Sequence, residues 1–447
     1  MYLNKVFEFI ETHSMIAQGE TVLAAVSGGA DSVCMLHMLL DLSKSQNFSV
    51  CAAHFNHMLR GEEADRDEAF VTDMCLSLGI PFFSGSGDVA AFAKTHGQST
   101  EEAARIMRYD FLHKTAANIG AAKIATAHNA DDNAETVILN LARGTGLAGL
   151  RGIPPVRDNI IRPILCLTRC DVENYLSSNS ISYVTDSTNL EDIYSRNKLR
   201  HHVMPVLREL NPRFSESLMR TSEIIRQDEE FLSCEAEKII DEHVKNSRIN
   251  ISILHNLPKS LSTRVIRLMA STELSSTHTD DILSLCKNAS PSARLDLPGI
   301  VVRREYDDIV FGNPETTTFN EITLIPGQCT SIPELHLEVT LEETVFCDNI
   351  HKSFTEYLFK TMDVYGKITI RPRKIGDTLK LRGSNCTKTL KKLFTEKRIP
   401  AVYRELQPVI ADEKGVLGVY KLGCDVRGLP QVGDTIYNIK FKEMPHK

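Results

Sequence analysis

The sequence predicts an α/β protein: an N-terminal domain built on a parallel sheet, a mostly helical middle domain and a small α+β C-terminal domain. Three observations carry this. Short apolar runs alternate with helical patterns over the first part of the chain, a long Glu-rich amphipathic pattern follows, and from Ser292 onward the pattern turns to short strands. At 447 residues, 42% hydrophobic and 24% charged, the composition is globular and the length suits roughly two to four domains.

The elements follow in order. Residues 21–26 (TVLAAV) read as a buried strand and 33–40 (VCMLHMLL) as a helix with an apolar face. Residues 49–54 read as a second strand, and 62–79 as a helix with Ala69, Phe70, Met74 and Leu78 at its apolar positions. A third short strand is expected at 80–83. The helix expected over 100–120 can be capped by Ser99 or Thr100, with Glu101 and Glu102 suiting its first turn. A buried strand at 122–127 and a helix at 131–143, again with acids at its start, complete the βα alternation. Residues 144–163, rich in Gly and Pro, form a loop. Segments 162–165 and 181–184 bracket a helix over 169–179, and 192–210 reads as helical and basic on one side. Asn211-Pro212 breaks the helix and marks a domain edge. Residues 215–245 form one long helix and further helices reach about 288. A hairpin is expected from 300–304 and 309–311, strands over 317–360, and a last domain of short strands with one helix over 387–397. The domains are thus set at 1–212, 213–315 and 316–447.

The chemistry starts at residues 27–32, Ser-Gly-Gly-Ala-Asp-Ser, between the first strand and the first helix. Glycines let backbone approach a phosphate closely, and the free N–H groups and dipole of a helix start favour negative charge. Ser27 and Ser32 add hydroxyls, and Asp31 can hold magnesium against phosphate oxygens. No Gly-Lys-Ser/Thr follows, so this is not a Walker A loop. In a parallel sheet ligands sit at the carboxyl ends of strands, where residues 27–32, 54–57 and 128–132 all fall.

Other constellations weigh differently. His54 and His57 have H-x-x-H spacing, but they lie at a strand end with no further ligands in range, which argues against zinc; Arg60 beside them suits a phosphate. Asp131, Asp132 and Glu135 share a helix face and either stabilise the helix dipole or hold magnesium or a cationic substrate. Gly144 to Gly149 match G-x-G-x-x-G, but they follow a helix instead of a strand, which excludes a dinucleotide fingerprint and leaves a loop over the substrate or a plain helix cap. Arg196, Lys198, Arg200 and two histidines make a cationic face that is either solvated or turned to phosphates.

Charge is unevenly spread. The net charge is −7, yet from residue 365 to 447 there are 18 Lys and Arg against 8 Asp and Glu, and 11 against 2 over 371–404. A basic end on an acidic body suits a polyanionic partner. Eleven cysteines lie scattered without C-x2-C, and neither a signal peptide nor a membrane-length apolar run is visible, so a reducing cytoplasm is the expected compartment.

The segment SGGADS resembles the pyrophosphate loop of the N-type ATP pyrophosphatases. Together with AHFNHMLRG (53–61), EEAARIMRYDFL (101–112), TAHNADDNAETVILNLARGTGLAGLRGI (126–153), RPIL (162–165), DSTN and YSRNKLRHHVMPVLRELNP (186–212), RPRKIGDTLK (371–380) and KTLKKLFTEKRIP (388–400), it makes nearly the whole chain resemble the tRNA(Ile)-lysidine synthetases. Asn129 and Asn133 depart from the His and Gln expected of that pattern, at positions not assigned to chemistry. The resemblance implies a Rossmann-like PP-loop ATP pyrophosphatase domain over 1–212. It implies that ATP, with Mg2+, activates C2 of the wobble cytidine of a CAU-anticodon tRNA(Ile), and that the ε-amine of free L-lysine then displaces AMP. Ser27, Gly28, Gly29, Ala30, Asp31, Ser32, His54 and Arg60 would bind ATP, with Asp31 on the metal. Asp132, Glu135 and Arg108 would bind lysine. Catalysis would fall to Asp31, Asp132, Glu135 and Arg196, with Arg108, Arg143, Arg196 and Arg200 available to developing phosphate charge. Arg371, Arg373, Lys388, Lys391, Lys392 and Arg398 would grip tRNA phosphates, while Leu390, Leu393 and Phe394 at i, i+3, i+4 form the inner face of their helix. The oligomeric state stays open, a homodimer included. A thiolase of the same superfamily would need reactive cysteines, a small-molecule AMP-forming synthetase would not need the basic tail, and a bare RNA-binding module would not need an intact loop.

Overall fold

Strand β1 (Thr21–Ala25) is the axis of the N-terminal sheet, and its side chains alternate between two separate cores. Val22 and Ala24 pack with Val33, Leu36 and Leu39 on one face, while Leu23 packs with Leu112 and Ala116 on the other. A strand buried on both faces reads as a continuous apolar run, which is why residues 21–26 show no polar alternation. Each fully buried Leu or Val here contributes about 1.5–3 kcal/mol.

The computed structural model describes residues 1–59, 61–185, 195–288, 290, 292–313, 318–347, 355–384 and 386–444. They form two units, Met1–Phe231 and Leu232–Lys447. In the first, α1 (Tyr2–Thr12) precedes β1, and α2 (Ala30–Gln46), β2 (Ser49–Asn56), α3 (Glu62–Leu78), β3 (Phe82–Ser86), α4 (Val89–His96), α5 (Thr100–Ile119), β4 (Lys123–Ala125) and α6 (Ala130–Ala142) follow. Then come the short α7 (Leu147–Leu150), β5 (Val156–Arg157), β6 (Ile160–Ile161) and α8 (Arg169–Ser178). The sheet order is β3-β2-β1-β4-β6-β5, parallel except for the β5–β6 pair. The order reverses between β1 and β4, so the crevice at their carboxyl ends is the topological switch point.

Local sequence accounts for the boundaries. Ser99 accepts the Glu102 N–H and caps α5, while Gly79 and Gly120 close α3 and α5 in the left-handed conformation. Helix α1, for which no expectation was set, buries Val6 and Ile10. Segment 181–184 forms no strand; instead Val184 N–H donates to the Gly28 carbonyl and braces the loop after β1. Beyond it, α9 (Ser195–Lys198), a π-helical turn (Leu199–Val203) and α10 (Met204–Leu210) run on to α11 (Phe214–His243), the long helix expected at 215–245.

The second unit opens with helices Ile251–Asn256, Lys259–Ala270 and Ser276–Lys287 packed on an antiparallel sheet. The expected hairpin is there as Ile300–Glu305 and Asp308–Phe311, flanked by two short strands, Arg248–Asn250 and Arg294–Leu297. Further on, a five-stranded and a four-stranded antiparallel sheet share one core that includes Val339, Phe359, Ile370, Ile410 and Ile439. Helix Leu390–Glu396 buries Leu390, Leu393 and Phe394, the three residues expected on its inner face.

Candidate active site

The loop between β1 and α2 holds its shape through its own serines. Gly28 adopts φ +90°, a conformation that favours glycine. Ser32 Oγ donates to the Gly29 carbonyl at 2.9 Å and accepts the Ser27 N–H at 3.1 Å. Ser32 is buried and its hydroxyl closes the loop; the two serine hydroxyls take the Ser27 and Gly29 N–H groups, and the first-turn N–H groups of α2 are those left for an anion.

A cavity of about 500 Å3 opens on this loop. Ser27, Gly29, Ala30, Asp31, Ser32, His54, Arg108, Asp132 and Arg196, expected from distant segments, all line it. Glu135 lies beneath, 2% exposed. Arg60 lies outside the described residues, as does the DSTN segment at 186–189. Arg143, exposed at the C-terminal cap of α6, does not line the cavity, and neither does Arg200. His54 is buried, with Nδ1 2.9 Å from the Val26 carbonyl, and so ties the end of β2 to the end of β1.

The acids of α6 have three different environments. Arg196 Nε donates to Glu135 Oε2 at 2.9 Å, Arg200 Nε donates to Oε1 at 2.6 Å, and both guanidiniums reach Asp132 Oδ1 at 3.4 Å. The sequence offered the acids and the arginines as separate clusters; the fold makes them one. Burial pushes the Asp132 carboxyl up to about 6, helped by the Glu135 and Asp31 charges and opposed by Arg196 and the Asn129 N–H. Asp131 faces away from the cavity. Burial works to raise its pKa, but the Ser215 hydroxyl, the Arg169 N–H (2.7 Å) and Arg208 (2.8 Å) together hold it below the ordinary carboxylate value. Asp131 therefore pins α6 to α8, α10 and α11.

Two residues missed at the sequence level join this network. Asn129 caps α6 by accepting the Asp131 and Asp132 N–H groups, and its Nδ2 donates to Asp31 Oδ1 at 3.0 Å. Arg169, at the start of α8, donates to Asp31 Oδ2 at 2.7 Å and to Glu173 at 2.8 Å. Asn before an acidic helix start is readable as a cap; its bond to Asp31, 98 residues away, has no sequence signal. Asn133 is fully buried and accepts the Ile153 N–H at 2.7 Å, so it anchors the Gly-rich loop after α6.

Arg108, Arg169 and Arg196 bring positive charge to the cavity lining, and Arg105 and Arg162 lie near enough to act on His128. Arg105 and Arg108 lie 5.0 and 5.6 Å from the ring centre of Tyr109. Burial, reinforced by Arg162, Arg196, Arg108 and Arg105, pushes His128 down to about 3, so it is neutral at pH 7. Arg108 is lowered by burial as well. No cysteine lines the cavity among the described residues, and burial raises Cys34 and Cys166 to about 12 and Cys75 to about 11, well away from reactive thiolates.

In the second unit the six expected tRNA contacts divide. Lys391 and Lys392 are exposed on helix Leu390–Glu396 and form no ion pair with a described residue. Arg373 is paired with Glu405, Lys388 with Glu396 and Arg398 with Asp307, all at or near the surface. Arg371 is a correction: it is 6% exposed and bidentate with Asp377 at 2.8 and 2.9 Å. Its guanidinium braces the 371–377 turn and is not available to a phosphate.

A switch-point crevice in a Rossmann-like sheet, floored by an SGGADS loop, defines a PP-loop ATP-using enzyme domain, and the family model for that PP-loop domain matches residues 3–207. A second model, the TilS substrate C-terminal domain, matches residues 368–437. The chain is 36% identical over 444 residues to a tRNA(Ile)-lysidine synthase of Clostridioides difficile, covering 94% of this chain and 96% of that one. It is 32% identical over 432 residues to the one of Caldanaerobacter subterraneus subsp. tengcongensis, covering 93% and 92%. The chain belongs to the tRNA(Ile)-lysidine synthase family, and is thus an ATP-using, tRNA-modifying ligase. No helix among the described residues is long and apolar enough to cross a membrane.

Proposed function

We propose that this chain converts the wobble cytidine of a CAU-anticodon tRNA(Ile) to lysidine, using ATP and free L-lysine. One observation carries the reading: the phosphate loop, Asp132 and Arg108 line a single cavity, and Arg196, which lines it too, ties Asp132 to the buried Glu135. The loop suits a triphosphate, the acids suit an ammonium group, and Arg108 suits the carboxylate of an amino acid.

In the first step the C2 oxygen of cytidine attacks the α-phosphorus of ATP and pyrophosphate leaves. The loop N–H groups hold the departing phosphates, and Arg196 faces the charge that builds on the α-phosphate. Asp31, which lines the cavity within the phosphate loop, would hold magnesium, whose charge would neutralise the phosphates of ATP. In the second step the neutral ε-amine attacks C2 and AMP leaves. Asp132, backed by Glu135 through Arg196 and Arg200, orients the amine, and Asp132, pushed to about 6, is a carboxylate at pH 7 that can accept its proton. Lys391, Lys392 and their neighbours in the second unit hold tRNA phosphates without reading bases.

Incubation with ATP, labelled lysine and unmodified CAU-anticodon tRNA(Ile) tests the reading. Label is expected in acid-precipitable RNA and to depend on ATP. Absence of label, with the same tRNA accepted by a working enzyme of this family, overturns it.

A further inference from the structure

We propose that Arg169 is a ligand of the β- and γ-phosphates of ATP, and of the pyrophosphate that leaves, and that its bond to Asp31 is the resting position from which it exchanges partners. The inference rests on the reading of the cavity as an ATP site and adds a residue to it.

Three arginines line the cavity among the described residues: Arg108, Arg169 and Arg196. Arg108 flanks Tyr109, and Arg196 is anchored on the acids of α6, on the side assigned above to the α-phosphate. Arg169 is the one that bonds a residue of the phosphate loop, with its guanidinium 2.7 Å from Asp31 Oδ2. A loop that offers N–H dipoles together with an Asp carries no full positive charge of its own, so a polyphosphate there needs a cationic side chain close by.

Backbone and side chain of Arg169 differ in freedom. Its N–H is fixed to Asp131 Oδ2 at 2.7 Å, and the helix it begins is closed by a Thr168–Asp171 capping box. The side chain is 42% exposed and already divided between two carboxylates, Asp31 and Glu173. A half-exposed ion pair of this kind is weak enough to be replaced by a ligand. With ATP in the loop, the guanidinium would turn from Asp31 to phosphate oxygens while Glu173 keeps hold of Nε, and Asp31 would be left to hold magnesium. The exchange leaves every charge paired before and after.

The probes are magnesium pyrophosphate and AMP, with binding followed by calorimetry on the full chain and folding checked by thermal unfolding. Arg169→Ala is expected to weaken pyrophosphate about 10- to 100-fold and to leave AMP within about twofold, since AMP lacks the β- and γ-phosphates. Arg169→Lys is expected to recover part of the loss, as a point charge without the fork. If Arg169→Ala binds pyrophosphate as well as the parent, the proposal is wrong. If AMP and pyrophosphate weaken equally, Arg169 only supports the loop, and the proposal is wrong in that case too. Lysidine formation by the parent is measured alongside. A parent that binds magnesium pyrophosphate through Arg169 but makes no lysidine counts against the proposed function and leaves this ligand standing.

Discussion

Asn129 Nδ2 donates to Asp31 Oδ1 at 3.0 Å, so one amide joins the residue that caps the acid-bearing helix to the carboxylate of the phosphate loop. Because the Asn129 N–H also donates to Asp132 Oδ2 at 3.0 Å, the residue touches two carboxylates of the cavity, one from the phosphate loop and one from α6. Asn129→Ala removes a helix cap, worth about 1 kcal/mol, and the donor to Asp31. A roughly 10-fold or greater fall in kcat/KM for ATP is expected, with a small loss of thermal stability. Asn129→Asp keeps the capping oxygens but sets a second negative charge against Asp31, so it should keep the stability and lose the activity. Steady-state pyrophosphate release paired with thermal unfolding separates the two effects.

Asp131 is a packing residue despite its place among the acids. Asp131→Asn weakens bonds to Ser215, Arg208 and the Arg169 N–H, and should destabilise the first unit by roughly 2–3 kcal/mol. Since its folded pKa is lowered, its contribution is present above the unfolded value of 3.8 and is lost as pH falls through the folded one. Unfolding midpoints of parent and variant should therefore converge in acid. A gap that persists undiminished below pH 3 would rule this account out.

Asp132 has the opposite sign. Its carboxyl is raised to about 6, so it is protonated below that pH and ionised above it. Binding and deprotonation of an ammonium need the ionised form, so kcat/KM for lysine should rise through about pH 6 and level off near neutrality. Asp132→Asn should abolish that limb along with most of the activity. A parent profile flat between pH 5 and 7 would assign the proton transfer elsewhere.

In the basic tail, exposure decides which cations matter. Lys391→Ala with Lys392→Ala should weaken tRNA binding and reduce the slope of log K against log salt by about 1.5 to 2. Arg371→Ala should leave the slope of the folded protein unchanged. It exposes the Asp377 carboxylate, whose pKa the Arg371 hydrogen bonds help to depress against burial, and lowers the unfolding temperature instead. Filter binding across a salt series, with melting curves, distinguishes the two.

Much of the first unit was legible because its signals are local. An apolar run buried on both faces, an acidic helix start and a glycine turn each report their structure within a few residues, and strand-end logic then put residues 27–32, 54 and 128–132 around one crevice. What could not be read is pairing across the fold. Arg169 follows a threonine cap and looks like an ordinary first-turn residue; nothing in sequence places it against Asp31, 138 positions earlier. Arg371 sits in the densest basic stretch of the chain, yet the carboxylate that occupies it is only six residues on. Charge counts register the arginine and say nothing about whether it is free. The short strands Arg248–Asn250 and Arg294–Leu297 were hidden for another reason: three or four residues are too few for alternation to show.

The reach of Arg196 and Arg200 to Asp132, which lines the cavity, sets an entry threshold. Two tethered cations face that carboxylate at an effective concentration far above that of a dissolved amine, so a simple ammonium ion competes poorly for it. A molecule that also brings a negative group for Arg108 gains on both sides at once. Selectivity for a zwitterion over a plain amine can thus arise from competition with the chain's own side chains, without a pocket shaped around the whole ligand.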